Sequence, residues 1–163
     1  LRAQEFGRIV LVGSGAGLHG EPTSAAYAAS KGAVVALGRT LAGEGVRRGV
    51  LTNVLLPYAT TQMTQTMPDP WREALQPDLV APVVTALVDP ASSLNGQVVV
   101  TAGGGLRAAD AVEYATVELG DAPLGPDRLA ALLALSRGGV ARTYPDAMSA
   151  FSDLASDVTR RRS

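Results

Sequence analysis

The stretch "GRIVLVGSGAGLHGEPTSAAYAASKGAVVALGR", residues 7–39, decides what the chain is built to do, because its glycines admit two readings. Gly15, Gly17 and Gly20 match G-x-G-x-x-G directly after an apolar run, the pattern in which backbone amides at a helix N-terminus hold a pyrophosphate. Two features weigh against that reading. Pro22 and Thr23 interrupt the run before a helix can start, and the next apolar run ends in "LLPYATT" without the acid that should bind a ribose. In the second reading the weight falls on Tyr27 and Lys31. Four residues apart on a helix, they share one face, so the ammonium can approach the phenol. A phenol, with an ordinary pKa of about 10, is a poor base at neutral pH, and a fixed cation beside it favours the phenolate. Lys31 is also the only lysine of the chain, every other basic residue being arginine. An ammonium is a compact charge on a flexible stem that can sit beneath a phenol and reach sugar hydroxyls, where a planar guanidinium fits differently. The plainer alternative for the pair is a surface lysine and a tyrosine that packs a helix.

The composition restricts the other possibilities. With 163 residues, 47% of them hydrophobic and 18% charged, the chain has the profile of one globular domain rather than a disordered segment. A net charge of -1 speaks against nucleic acid and anionic membrane as partners. Arg160, Arg161 and Arg162 form a small basic end that reads as a solvated terminus. The absence of cysteine removes disulfides, thiolate metal sites and cysteine nucleophiles, and the single His19 cannot build a histidine metal cluster. The first residues, "LRAQEFGR", lack an apolar signal core, and no apolar run approaches the roughly 20 residues of a membrane span, so a cytoplasmic location is expected.

Three short apolar runs, 8–12, 50–56 and 97–100, alternate with helical segments, which predicts parallel strands buried on both faces of an α/β sheet. Ser24 is placed to cap a helix running to about Ala42, with Gly43 and Gly45 as its stop. Pro77 suits the first turn of a helix ending near Asp89 and Pro90. Beyond "TAGGG", helical patterns at about 126–136 and 146–159 suggest a C-terminal extension, so that residues 1–105 form the catalytic and substrate part and 106–163 the helical extension of the same domain.

Ser14, at the end of the first strand and thirteen residues before Tyr27, joins these signals into a pattern. A serine after a strand, a glycine-containing loop and Y-x-x-x-K on the next helix resemble the short-chain dehydrogenase/reductase family. "NVLLP" and "LNGQVVVTAGGG" are similar to that family's Asn-x-x-x-Pro strand and its last strand with a glycine turn. The resemblance implies the C-terminal half of a doubly wound, Rossmann-like parallel sheet and an NAD- or NADP-dependent oxidoreductase. By it Tyr27 is the catalytic acid/base, Ser14 hydrogen-bonds the reacting oxygen, and Lys31 eases the loss of the phenolic proton and binds the nicotinamide ribose. Pro57, Thr60 and Thr61 fall where the family meets the cofactor. Gly15 and Ala16, in the active-site loop behind the serine, let substrate approach the backbone.

The segment "YATTQMTQTMPDPWREALQPDLVAPVV" is similar to the substrate lid of hydroxyacyl-CoA dehydrogenases of multifunctional β-oxidation enzymes. It implies a 3-hydroxyacyl or 3-oxoacyl thioester, or another acyl-CoA-like or steroid-like small molecule, as substrate, with Met63, Met67 and Trp71 as an adaptable apolar lid. Their alternative role is to pack a loop on the core.

The family's T-G-x-x-x-G-x-G turn, its ribose-binding acid, its N-N-A-G segment and its fourth catalytic residue, an Asn, have no counterpart here. Tyr58 stands where members often have Gly, and Gln62 where a Thr commonly binds the carboxamide. Three arrangements fit these departures. The chain is a portion of an ordinary dehydrogenase, or a half-length subunit whose partner supplies the nucleotide site, or a binding or scaffold remnant without turnover. The first two predict a complementary N-terminal half beside the first strand and an oligomer built on the long Ala- and Gly-rich helix.

Overall fold

The computed structural model describes residues 1–61 and 68–160, which divide into two compact units, Leu1–Ala109 and Asp110–Ser163. In the first unit four strands form one sheet in the order β1 (Gly7–Val12), β2 (Val50–Tyr58), β3 (Val98–Ala102), β4 (Gly105–Ala108). The three expected strands are contiguous and parallel, with Gly7 opposite Val50 and Val54 opposite Val98. β4 was not expected. "TAGGG" turns the chain back so that Gly105–Ala108 pairs antiparallel with β3, Ala102 opposite Gly105. Gly103 makes this reversal with φ +54°, and a side chain there would also strike the Ala74 carbonyl.

β2 is the buried spine. Residues Thr52 to Leu56 are all buried, and Val54 and Leu56 join Val98 in the core, flanked by Leu11, Val34 and Val35. A continuous apolar strand of this kind requires cover on both faces, as the parallel arrangement supplies. Asn53, only 1% exposed, donates to the Leu94 carbonyl (2.8 Å) and accepts from Gln97 N–H (3.0 Å). Asn95 accepts from Thr52 N–H (2.9 Å) and donates to the Ala42 carbonyl (3.1 Å). Together the two amides pin the turn before β3 to both β2 and the long helix, and their polar atoms are satisfied despite burial.

Between β1 and β2 lie a short helix α1 (Gly15–His19) and the long α2 (Ala25–Gly45). α2 runs past Ala42 and through Gly43 to end at Gly45, so of the two expected stop glycines Gly43 lies within the helix and Gly45 is its last residue. Gly38, Ala42 and Gly45 are its buried residues, spaced to lie on one face. A Cβ at Gly38 would sit 2.2 Å from Val54 Cγ2, and one at Gly45 2.4 Å from the Val50 carbonyl oxygen. The glycines thus lower α2 onto β2, and a 3-10 turn, Val46–Arg48, then leads to Gly49, with φ +63°. Ser24 occupies the N-cap position of α2 without a side-chain capping bond. Ser14 does cap: its hydroxyl accepts from Ala16 N–H at the start of α1 (3.2 Å).

After β2 come α3 (Asp69–Ala74) and α4 (Ala81–Val88). The helix expected from Pro77 forms in two pieces, a single 3-10 turn at Pro77–Leu79 and then α4. Among the described residues no helix is long and apolar enough to cross a membrane.

In the second unit the two expected helices form as α5 (Pro126–Arg137) and α6 (Ala147–Arg160). Asp146 caps α6 by accepting from Ser149 N–H (2.7 Å). The Arg142 guanidinium bonds Asp153 (2.5 Å) and Asp157 (3.1 Å), Tyr144 donates to Asp153, and Thr116 donates to Asp157 (2.9 Å). The hydrogen bond from Tyr144, followed by that from Arg142, holds the Asp153 carboxyl below the usual carboxylate range. Thr116 first, then Arg142, does the same for Asp157.

Two outcomes test this packing. Gly38→Ala should destabilise the first unit by about 1–3 kcal/mol, the usual cost of overpacking, and Val54→Ala in the same chain should recover part of that loss. Denaturant unfolding of the single and double variants measures the coupling. In the second unit the depressed carboxyl pKa values place the stabilisation above the unfolded value of about 4, to be lost as pH falls through the folded values. Asp153→Asn should lower Tm at neutral pH and reduce its acid dependence, read by thermal melts from pH 7 to pH 2.

Candidate active site

The candidate residues collect at the C-terminal end of β1. In parallel sheets this is the end where loops gather and ligands bind. Lys31 Nζ donates to the Val12 carbonyl (3.1 Å), the last residue of the strand, and lies 5.7 Å from the centre of the Tyr27 ring. Ser14 follows two residues after Val12. The spacing of Tyr27 and Lys31 on α2 therefore yields the expected approach of ammonium to phenol, and the same ammonium ties both to the strand that presents Ser14.

The glycine loop explains how this is held. A Cβ at Gly17 would lie 2.4 Å from the Lys31 carbonyl carbon and 2.5 Å from Gly32 N, so α1 crosses α2 at the lysine itself. Backbone atoms cannot swing aside as a side chain can, and Gly17 is needed for this crossing. At Gly15 the corresponding space is filled by the Tyr58 hydroxyl, 1.9 Å from where a Cβ would be. Both positions are taken by protein, and α1 has five residues, so the loop does not fit a pyrophosphate. The end of the site that holds Tyr27 and Lys31 does fit a nicotinamide ribose. An ammonium has three donors, of which one is directed at Val12, and Tyr27 is 46% exposed. Ser14 is half-buried, and because its oxygen accepts from Ala16, the hydroxyl proton can be given to a substrate oxygen.

The remaining candidates are dispersed. Pro57 lies in β2 opposite Thr101. Thr60 tethers α3: its N–H donates to the Leu75 carbonyl (2.7 Å) and its hydroxyl to the Arg72 carbonyl (3.1 Å). Thr61 is exposed at the end of that segment. Ala16 contributes its N–H to Ser14 and its carbonyl to Gly20 N–H (2.9 Å). Trp71, on α3, is 61% exposed. Met63 and Met67 lie outside the described residues. Tyr58 is the residue that sequence reasoning did not place in the site. The signal for it was the pairing of an unusual large residue after Pro57 with a glycine at 15, and the two interlock only once β2 and α1 are in position.

Comparison with known proteins agrees with this geometry. Residues 1–71 match the short chain dehydrogenase family. Peroxisomal multifunctional enzyme type 2 of Drosophila melanogaster is 36% identical over 105 residues, 64% of this chain and 18% of that protein. A 3-oxoacyl-[acyl-carrier-protein] reductase of Thermotoga maritima is 34% identical over 113 residues, 62% of this chain and 46% of the reductase. The solved structure of the full-length Drosophila multifunctional enzyme matches with a TM-score of 0.79 and 26% identity, over 98% of this chain and 30% of that one. The chain thus spans less than half the length of each of these relatives. Its sequence match over residues 1–71, its relatives and its Rossmann-like sheet make the chain similar to short-chain dehydrogenases/reductases.

Proposed function

We propose that this chain is the catalytic and substrate half, residues 1–105 with 106–163 as its extension, of a dehydrogenase acting on a 3-hydroxyacyl or 3-oxoacyl thioester or a related secondary alcohol or ketone. One observation carries the reading: a single ammonium, Lys31, is bonded to the end of β1 and faces the Tyr27 ring, with Ser14 beside it on the same strand end. The family uses nicotinamide cofactors, and NAD or NADP is proposed here. When bound, the nicotinamide supplies or accepts the hydride. Tyr27 takes the hydroxyl proton of a secondary alcohol as the carbonyl forms, and returns it in the reverse direction. The Ser14 hydroxyl donates to the same substrate oxygen and fixes it against the phenol. Lys31 places positive charge beside that phenol and has donors left for the ribose hydroxyls. The acyl thioester is supported by the lid-like segment before α3 and by a relative named as a 3-oxoacyl reductase.

The pyrophosphate and adenosine sites are proposed to lie on a complementary N-terminal half. β1 stands at the edge of the sheet, with β2 on its one paired side among the described residues. A neighbouring strand supplied in the same or another chain would cover that edge, within a homo- or hetero-oligomer in the cytoplasm.

In the protein carrying both halves, Tyr27→Phe should reduce turnover at least 1,000-fold with cofactor affinity nearly unchanged, whereas Lys31→Ala should weaken both. Steady-state kinetics with a 3-oxoacyl thioester, together with cofactor titration, reads the two effects, and normal turnover by Tyr27→Phe would refute the assignment. For the 163-residue chain alone, calorimetry with micromolar NADH should register no specific binding. Saturation there would restore the pyrophosphate reading of Gly15 to Gly20.

A further inference from the structure

Successive residues of a strand face opposite sides, so Val54, Leu56 and Tyr58 share a face of β2. The first two are buried in the core, and Tyr58 extends their row to the end of the strand, where it is 42% exposed. Its phenol turns against α1. The hydroxyl occupies the position of the missing Gly15 side chain, with Cζ 2.7 Å from the same point, one residue along the chain from Ser14. On its other flank Tyr58 lines a cavity of about 310 Å³ with Val100, Ala102, Leu106 and Arg107. Among the described residues no protein group bonds the Tyr58 hydroxyl. A phenolic donor with unused capacity therefore stands between the Ser14 end of the site and a cavity with apolar walls and one guanidinium.

We infer that Tyr58 is a specificity-determining residue whose hydroxyl donates a hydrogen bond to a second oxygen of the substrate, the carbonyl two carbons from the reacting carbon of a 3-oxoacyl or 3-hydroxyacyl thioester. The inference rests on the functional reading above, which places the reacting oxygen between Ser14 and Tyr27. A substrate oriented by that pair and carrying a further oxygen toward Gly15 meets the Tyr58 hydroxyl at the mouth of the cavity. A simple ketone has no group to offer there. A glycine in place of Tyr58 would provide no donor, and any side chain at 15 would displace the phenol, so the Gly15 and Tyr58 pair acts as one unit.

The test compares the wild-type protein carrying both halves with Tyr58→Phe, a change that keeps the ring on Gly15 and removes only the hydroxyl. The substrates are 3-oxobutanoyl-CoA and 2-pentanone. For the thioester, Tyr58→Phe should raise KM about tenfold with kcat within about twofold, the size of one lost neutral hydrogen bond, while kcat/KM for 2-pentanone stays within about twofold. Equal losses on both substrates, or no loss on either, would overturn the inference, the first because it marks a structural role. Calorimetric titration of the same two proteins with 3-oxobutanoyl-CoA separates this result from the functional reading. Binding without turnover by the wild type refutes the dehydrogenase reading, and the affinity ratio of wild type to Tyr58→Phe still decides the role of Tyr58. Absence of both binding and turnover overturns the two together.

Discussion

The structure depends on how closely α2 lies on the sheet and on α1. Helix axes normally stand off from their neighbours by the length of the side chains between them. Here side chains are absent at the contacts: Gly38 over Val54, Gly45 over Val50, Gly17 against Lys31 and Gly32. Each contact brings backbone or core atoms within a distance that a methyl group would fill. Tyr27 and Lys31 ride on this helix, and the ammonium reaches the Val12 carbonyl because its stem starts so near the strand. A helix raised by one methyl layer would carry the ammonium away from the Val12 carbonyl while leaving the secondary structure intact.

A second set of constraints acts through the connection between β2 and β3. Asn53 and Asn95 each bridge backbone groups that no regular ladder would pair, and the turn before β3 is thereby fixed to β2 and to Ala42 of α2. Buried amides are costly when unpaired and stabilising when satisfied, so they specify one register of the turn rather than adding generic cohesion. The register in turn sets Val54 opposite Val98 and Tyr58 opposite Ala102, which aims the Tyr58 phenol at Gly15. The site is thus assembled from two directions, by small residues on α2 and by polar ties in the β2–β3 connection.

Much of this was legible because it is written in local patterns. The three parallel strands are continuous apolar runs, and the approach of Lys31 to Tyr27 follows from helical spacing alone. Features that depend on tertiary contact were not legible. Gly43 has the form of a helix stop, yet α2 continues through it to Gly45, which is buried against Val50. Ser24 and Ser14 have the same capping chemistry, and only the three-dimensional course of the chain assigns the cap to Ser14. β4 arises from glycines that read as a terminus of the sheet and in fact reverse it. Met63 and Met67, expected to form a lid, lie outside the described residues, and Thr60, expected near a cofactor, is engaged in holding α3.

The distribution of these contacts also shows how the proposed centre is held within one unit. The phenol, the ammonium and the serine are all supplied by residues 12–31, a strand end and one helix turn held by contacts within the same unit. Such a centre draws on the end of β1, α1 and α2, packed on the core of β2. Pyrophosphate binding needs a different element, an open glycine turn whose amides face solvent at the start of a long helix. In this chain the glycines have been committed to packing: Gly15 receives a phenol and Gly17 a helix backbone. Because close packing and phosphate binding require the same absence of side chains, one loop cannot serve both, and here Gly17 is committed to holding α1 against α2 at Lys31.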